Sequence, residues 1–514
     1  MNFNEFKKSG IFEIDVINAL EYCKANNVNL LEFDKGEYIF NSDFLNEGIY
    51  RISNHGSNGM KKAAFLIKDM KNFTIDGGGS NFIMNGIACG FILDNCENIT
   101  IKNTAIEERV RFTCSGLVTE VCEDYFICDT KINEPYYIER GLLRFGDKES
   151  KNSAVGGFIE CNMQKKRFRE DSADYWIGNS GDAVFEDLGN GQFKISKTAK
   201  KPFLGNFVVF MAGIGTRLAP ALFAVDSKNI NIENYTVYSC MGMGVIAQKC
   251  ENVTIDNMKT ECKGNECYSA SADATHFVAC RGMITVRNSS FEGQLDDCLN
   301  VHGIYNRIIE KGKNYIVIKY MHHEAKGIDI YETGAKIEIS DKDSLIPYLD
   351  FTVTKIMRLN DDCTVLYLDG DTDKINLNDV TEDITRCPDV LFENNKACFN
   401  RARGMLLASR GKTIIRNNWF NTPGTAILFE SDGAFWFESG ATHDVIIENN
   451  VFDECCYTEW GNKVINVCKR RKHEDGKFFH KNIIVRNNIF KNCNCSPYEI
   501  HDTENFIFEN NIKR

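Results

Sequence analysis

A strand-and-asparagine unit recurs along this chain, and a recurring unit narrows the available folds more than any single motif does. Gly90-Phe-Ile-Leu-Asp-Asn-Cys-Glu-Asn-Ile-Thr-Ile-Lys-Asn103 matches Gly244-Val-Ile-Ala-Gln-Lys-Cys-Glu-Asn-Val-Thr-Ile-Asp-Asn257 in pattern, position for position. Weaker copies run from Val278 to Asn288 and from Gly404 to Asn418, and further strand-Asn units end at Asn234, Asn450, Asn488 and Asn511. The steps Asn234 to Asn257 and Asn488 to Asn511 are 23 residues, and others are 31 or 38, as expected if loops of variable length leave from one face. Alternating β-branched residues turn one side of each strand inward. Asn tolerates a left-handed backbone and can hydrogen-bond a stacked neighbour. A leucine-rich repeat has a similar period but needs a Leu consensus that is absent here. The pattern predicts an all-β chain, a right-handed parallel β-helix.

Two regions interrupt the repeat. Arg140-Gly-Leu-Leu-Arg-Phe-Gly146 and Gly191-Gln-Phe-Lys-Ile-Ser196 fall in the first. Tyr315-Ile-Val-Ile-Lys319, Lys336-Ile-Glu-Ile339, Phe351-Thr-Val-Thr-Lys-Ile356 and Thr364-Val-Leu-Tyr-Leu368 fall in the second. These alternating runs with turn signals read as antiparallel, barrel-like inserts. The expected division is a cap and first coils over 1–130, one insert over 131–220, coils over 221–303, a second insert over 304–388 and final coils over 389–514. At the start, Asp15 is placed to cap a helix carrying Val16, Ala19, Leu20 and Cys23 on one face. Leu30-Leu-Glu-Phe-Asp-Lys-Gly-Glu-Tyr-Ile-Phe40 then reads as two short strands, so the helix would plug the open end of the solenoid.

Against that scaffold one acidic stretch stands out. Asp273, in Ser271-Ala-Asp-Ala-Thr-His-Phe277, lies 23 residues before Asp296, and Asp297 adjoins it in Gly293-Gln-Leu-Asp-Asp-Cys-Leu-Asn-Val-His-Gly303. One short coil separates them, so the carboxyls are expected on neighbouring rungs, about 4.8 Å apart along the axis. Like charges held together resist ionising together, which keeps one acid protonated while another serves as base. That pairing suits glycoside hydrolysis, by either retention or inversion. His276, Asn300 and His302 are expected to border the acids. A Ca²⁺ site is another reading of clustered carboxylates. In Ile427-Leu-Phe-Glu-Ser-Asp-Gly-Ala-Phe-Trp-Phe-Glu-Ser-Gly440, Trp436 offers a flat face for a sugar ring, with Glu430, Asp432 and Glu438 as acceptors for hydroxyls. Arg410 and Arg281 are candidates for orienting carboxylates.

Composition removes several function classes. The net charge is −12 with no Lys/Arg stripe, which disfavours nucleic acid and anionic membranes as partners. No run of about 18 apolar residues is present, so no membrane-spanning helix is expected. The 21 cysteines carry no zinc spacing and read as small buried thiols, which suits a reducing compartment. Met1-Asn-Phe-Asn-Glu-Phe lacks an apolar signal region; the chain is expected in the cytoplasm if Met1 is the native start, and secreted or periplasmic if a leader was removed. No phosphate-cradling loop and no metal-ligand spacing appears, so neither a cofactor nor a metal is expected.

Ala272-Asp-Ala-Thr-His-Phe277, Gln294-Leu-Asp-Asp297, Leu299-Asn-Val-His-Gly303 and Trp436-Phe-Glu-Ser-Gly440 resemble glycoside hydrolase family 110, the α-1,3-galactosidases that remove terminal galactose from blood-group B-type glycans. The resemblance spans most of the chain and implies a β-helix with two inserted β-barrels. It implies an inverting course, with Asp273 as general acid and Asp296 and Asp297 as the acids that activate water, the base not apportioned between them. It also implies a galactose-terminated glycan as partner, branched or linear, and a homodimer. Two other readings keep the same solenoid: a polygalacturonase-like hydrolase or Ca²⁺-dependent lyase, for which the acidic balance is unfavourable, and a non-catalytic carbohydrate-binding solenoid.

Overall fold

The computed structural model describes residues 1–514 except 57–58, 133–134, 147–153, 171–181, 213–216 and 469–475. Each late coil contains three short strands. Thr413–Arg416 leads through a turn at Asn417 and Asn418 into Trp419–Asn421, and a wider bend leads to Ile427–Phe429. The next coil repeats the course as Val445–Glu448, Val451–Asp453 and Lys463–Val467, each pairing parallel with its predecessor. In earlier coils the first two strands fuse into one bent strand, as in Lys228–Val237 and Glu251–Thr260. The chain is therefore a parallel β-helix, as its repeat predicts.

The asparagines divide the turn chemistry between two positions. Asn417, Asn449, Asn487 and Asn510 adopt φ between 54° and 58°, which turns the strand through the left-handed region. The residue after each, Asn418, Asn450, Asn488 and Asn511, points its amide inward. Asn450 Oδ1 accepts from the Asn418 backbone N–H at 3.0 Å and its Nδ2 at 2.9 Å, and Asn488 Oδ1 does the same for Asn450 at 2.9 and 3.0 Å. Each inner amide thus satisfies a backbone group that the tight turn would otherwise leave buried and unpaired. An outer ladder, Asn72–Asn98–Asn229–Asn252, joins the first coils at 2.8 to 3.0 Å. Beside the inner ladder, Phe392, Phe420, Phe452 and Phe490 stack with centroids 6.1, 5.2 and 5.0 Å apart.

Small residues open the third strand of most coils because the layers pass closest there. A Cβ on Gly244 would stand 2.6 Å from the Ala274 carbonyl oxygen, which explains why the best repeat copies begin with Gly. At the N-terminus the helix Phe12–Ala25 buries Val16, Ala19, Leu20 and Cys23 against the first strands. Asp15 lies within its first turn rather than at its cap, which is Ile11. The Asp15 carboxylate accepts from the Ser9 N–H at 2.9 Å, tying the preceding loop down.

Both inserts leave the helix without breaking the stack. Asn98 and Asn229 are ladder neighbours although 131 residues apart in sequence, and Asn395 Oδ1 receives the Ser289 N–H across 106 residues. The first insert is a seven-stranded antiparallel sheet that begins with Thr113–Val121, ahead of 131, and ends with Phe207–Ala212. Arg140 and Gly141 form the turn of a separate hairpin, Tyr136–Glu139 with Leu142–Phe145. The second insert closes into a six-stranded barrel running from Asn306–Gly312 to Val380–Asp383. Among the described residues no helix is long and apolar enough to cross a membrane. None of the 21 cysteines is in a disulfide.

Removing one inner amide strands several buried groups at once. Asn450→Ala should cost about 2–4 kcal/mol, read as a lowered urea midpoint, because it orphans the Asn418 N–H and the Ile415 carbonyl. The outer Asn257→Ala, at the exposed end of its ladder, should cost about 1 kcal/mol. Equal effects at the two positions would contradict the division of labour.

Candidate active site

The acids stack one residue out of the expected register. Thr275 pairs with Leu299 and His276 with Asn300, and the Asp297 N–H donates to Asp273 Oδ1 at 3.1 Å across 24 residues. Asp297, rather than Asp296, therefore lies beside Asp273 on the next rung. One rung further, Leu299 pairs with Met405, which brings Arg403 beside Asp297 across 106 residues of sequence. Asp296 sits at the edge of the cluster and is the most accessible of the three, its side chain 13% exposed against 1% for Asp297. One oxygen from each acid lies within 4.8 Å of the others.

Three arginines surround these acids. Asp297 Oδ1 accepts from the Arg403 backbone N–H at 3.0 Å and from its Nε at 3.1 Å, with Nη2 3.0 Å from Oδ2. Asp296 Oδ2 accepts from Arg217 Nη2 at 2.9 Å and lies 3.7 Å from Arg401. Burial pushes the pKa of Asp273 up from 3.8 to about 6, opposed by Arg217 and the Asp297 N–H. Burial and then the Asp273 charge raise Asp296 to about 6, with Arg217 opposing. Burial also raises Asp297, with Arg403 working against it. A divalent cation would meet this cluster with two of its three carboxylates already bound to guanidinium groups, so the charge it needs is largely spent.

The cluster opens into a cavity of about 450 Å³. Asn300, Glu430, Trp436 and Glu438 line it together with the three acids. Trp436 is presented by a loop folded around Asp432, whose carboxylate accepts from the Ala434, Phe435 and Trp436 N–H groups at 2.7, 2.9 and 2.5 Å. Its ring packs at 4.5 Å on His322, which belongs to the barrel insert. The cavity wall thus combines the solenoid, the first sheet through Thr113 and Met211, and the barrel through Glu324.

His276 and His302 stand behind the cavity rather than in its wall. His276 Nδ1 is 2.5 Å from Asp273 Oδ2, and its Nε2 is 2.9 Å from His302 Nε2. Burial and the neighbouring His302 push the His276 pKa well below its usual 6.5. Arg410 is not at the site. It is bound by Glu338 at 2.8 Å and by Glu382, so it pins the barrel to the solenoid. Arg281 is likewise elsewhere, paired with Glu251 at 2.9 Å.

The residues that sequence reasoning missed are Arg217, Arg401, Arg403, Asn54 and Trp460, all in the cavity wall. Arg403 was within reach of the repeat. Asp273-Ala-Thr275, Asp297-Cys-Leu299 and Arg403-Gly-Met405 occupy equivalent places ahead of paired strands. Extending the Gly404 repeat backward by one residue finds it. Arg217 and Asn54 come from irregular segments and carry no such signal.

This fold and this site define a carbohydrate-active β-helix enzyme with a carboxylate centre. A family model described as GLAA-B beta-barrel domain II matches residues 315–380, within the closed barrel. Alpha-1,3-galactosidase A of Shewanella woodyi is 32% identical over 96% of this chain and 81% of its own length. Alpha-1,3-galactosidase B of Phocaeicola vulgatus is 29% identical over 95% and 84%. An exopolygalacturonase structure from Thermotoga maritima aligns over 99% of this chain and 91% of its own at 9% identity, with a TM-score of 0.40. The chain belongs to the α-1,3-galactosidase family, glycoside hydrolase family 110.

The raised acids make stability depend on pH. A carboxyl whose folded pKa lies above its unfolded value binds more protons in the native state, so stability falls as pH rises from 3.8 to about 6. Asp296→Asn removes part of that loss. The unfolding midpoint of the variant relative to wild type should therefore climb across this window and level off above it; a constant difference would show that Arg217 fully offsets the burial.

Proposed function

We propose that this protein is an exo-acting α-1,3-galactosidase that hydrolyses terminal galactosides with inversion. The observation that carries this is Asp273, a buried carboxyl with its pKa pushed up to about 6 and set beside two arginine-bound acids, in a chain of this family. Asp273 gives its proton to the glycosidic oxygen as the C1–O bond breaks, and the bonding pair stays with that oxygen. Water attacks C1 from the other face and loses a proton to the base. Asp296 is the better base: it is the accessible member and faces the cavity, whereas Asp297 is committed to Arg403 on both oxygens.

The closest oxygens here are nearer than the roughly 6.5–9.5 Å that separates the two carboxyl groups of an ordinary inverting pair. That range is measured between groups flanking a bound sugar. Asp296, which is as near as Asp297 but more exposed to the cavity, is the member best placed to hold a water. Support for galactose comes from the relatives' activity and from Trp436, whose half-exposed ring suits the apolar face of a hexose. A walled cavity of about 450 Å³ suits a chain end better than a long groove would. The homodimer implied by the resemblance belongs to this proposal as well.

The test pairs branched blood-group B trisaccharide with linear α-1,3-galactobiose. At least one should be cleaved, and Asp273→Asn and Asp296→Asn should each lower kcat by about 10³-fold or more with an unchanged circular dichroism spectrum. Proton NMR should show β-galactose first; initial α-galactose would replace inversion with retention. Chelator treatment should leave turnover unchanged, and a loss restored by Ca²⁺ would support a metal-dependent lyase instead.

A further inference from the structure

Behind the general acid runs a buried chain of titratable groups that hydrolysis as described does not use. His276 Nδ1 meets Asp273 Oδ2 at 2.5 Å, and the two Nε2 atoms of His276 and His302 meet at 2.9 Å. His302 Nε2 lies 3.5 Å from Glu438 Oε1, which also accepts from Asn54 Nδ2 at 2.9 Å. The far end is anchored: His302 Nδ1 lies 2.6 Å from the Gly303 carbonyl oxygen, an acceptor only, so that nitrogen carries a hydrogen.

From this anchor the hydrogens follow in turn. With His302 neutral, its Nε2 is an acceptor, and the hydrogen between the rings belongs to His276. Neutral His276 then has a bare Nδ1, and the contact with Asp273 requires the Asp273 proton to point at His276. The other Asp273 oxygen is occupied by the Asp297 N–H, so in this state the acid proton faces away from the sugar. One more proton, on His302 Nε2 and balanced by the Glu438 carboxylate, reverses the chain. His302 becomes the donor, His276 takes the Nδ1–H form and donates to Asp273, and the acid's own proton is free to face the cavity.

We propose that His302 and Glu438 are positioning residues that, by holding one proton between them, set the tautomer of His276 and thereby aim the Asp273 proton at the glycosidic oxygen. This rests on the reading of Asp273 as general acid. The proton is conserved: it moves between solvent and His302, and the only proton given to substrate is the one on Asp273. Other charged groups bear on the chain from every side. The Asn54 amide and Arg403 favour Glu438 as carboxylate, and Arg217 is held nearby on the Asn54 carbonyl oxygen at 3.2 Å. Asp296 and Asp297 flank Asp273, His55 is near enough to His276 to feel its charge, and His322 of the barrel is near enough to feel Glu438.

The experiment measures kcat and KM against pH on two substrates. The first is an α-1,3-linked digalactoside, whose leaving group needs a proton; the second is 2,4-dinitrophenyl α-galactoside, whose leaving group does not. His302→Leu should lose about 30-fold or more in kcat on the disaccharide, with KM within about three-fold and the dinitrophenyl substrate within about three-fold of wild type. His302→Gln should recover most of that loss, because its amide can donate to His276 Nε2, and its alkaline limb should move up because the amide does not titrate. Glu438→Gln, which no longer stabilises the His302 charge, should move the alkaline limb down. ¹⁵N-histidine spectra of the wild type should show His276 as the Nδ1–H tautomer below its alkaline limb and as Nε2–H above it. Equal losses on both substrates, an unmoved limb in His302→Gln, or a single tautomer at all pH would overturn the proposal. Asp273→Asn separates the two failures. If it shows the leaving-group selectivity and His302→Leu does not, only this inference falls; if it does not, the general-acid assignment falls too.

Discussion

Coil-on-coil register is the constraint on which the rest of this molecule depends. The inner amides from Asn395 to Asn511 and the outer ladder from Asn72 to Asn252 lock each rung to the next. An amide that bonds a neighbouring turn tolerates no slip, because a one-residue shift would strand its own donors and every strand's inward face. This rigidity lets two large inserts leave the solenoid while the coils on either side still meet. Asp297 and Arg403 are rung neighbours only because the stack closes over the barrel.

That closure also explains the electrostatics. The rungs put carboxyls into a buried position where their charge is unfavourable, and the same register supplies the remedy one coil away. Arg403 is fixed on Asp297 through its backbone as well as its side chain, so the pairing does not rely on a flexible rotamer. Arg217 reaches Asp296 from outside the stack. Asp296 and Asp297 are thus charge-balanced separately by side chains that bind them, while Asp273 has a backbone N–H and a histidine as its direct partners and feels the arginines only from a distance.

How far the sequence could see follows from this. The β-helix was legible because its signal is periodic, and the acids were legible because they sit within paired coils. Their exact pairing was not, since the 23-residue step of the Asn units is the length of other coils. The coil from Thr275 to Leu299 is one residue longer, which puts Asp297 beside Asp273. Arg410 was misplaced because its Ala-Ser-Arg-Gly context looks like a site turn, while its partners Glu338 and Glu382 lie in the barrel, beyond any local pattern. Arg217 and Asn54 join the site from loops that share no repeat with it.

The inserts serve the site by what they bring to one end of the acid cluster. A bare solenoid presents an open ledge, suited to a long polymer lying across its rungs. Here the first sheet contributes Thr113 and Met211, the barrel contributes Glu324, and His322 backs Trp436. These convert the ledge into a walled cavity. Asp273 is buried at the foot of this cavity, and burial is the leading cause of its raised pKa. The walled shape of the cavity and the burial of Asp273 therefore meet at one place in the fold. A smaller insert would leave the ledge open and, by admitting water to the cavity, would lower the pKa of Asp273.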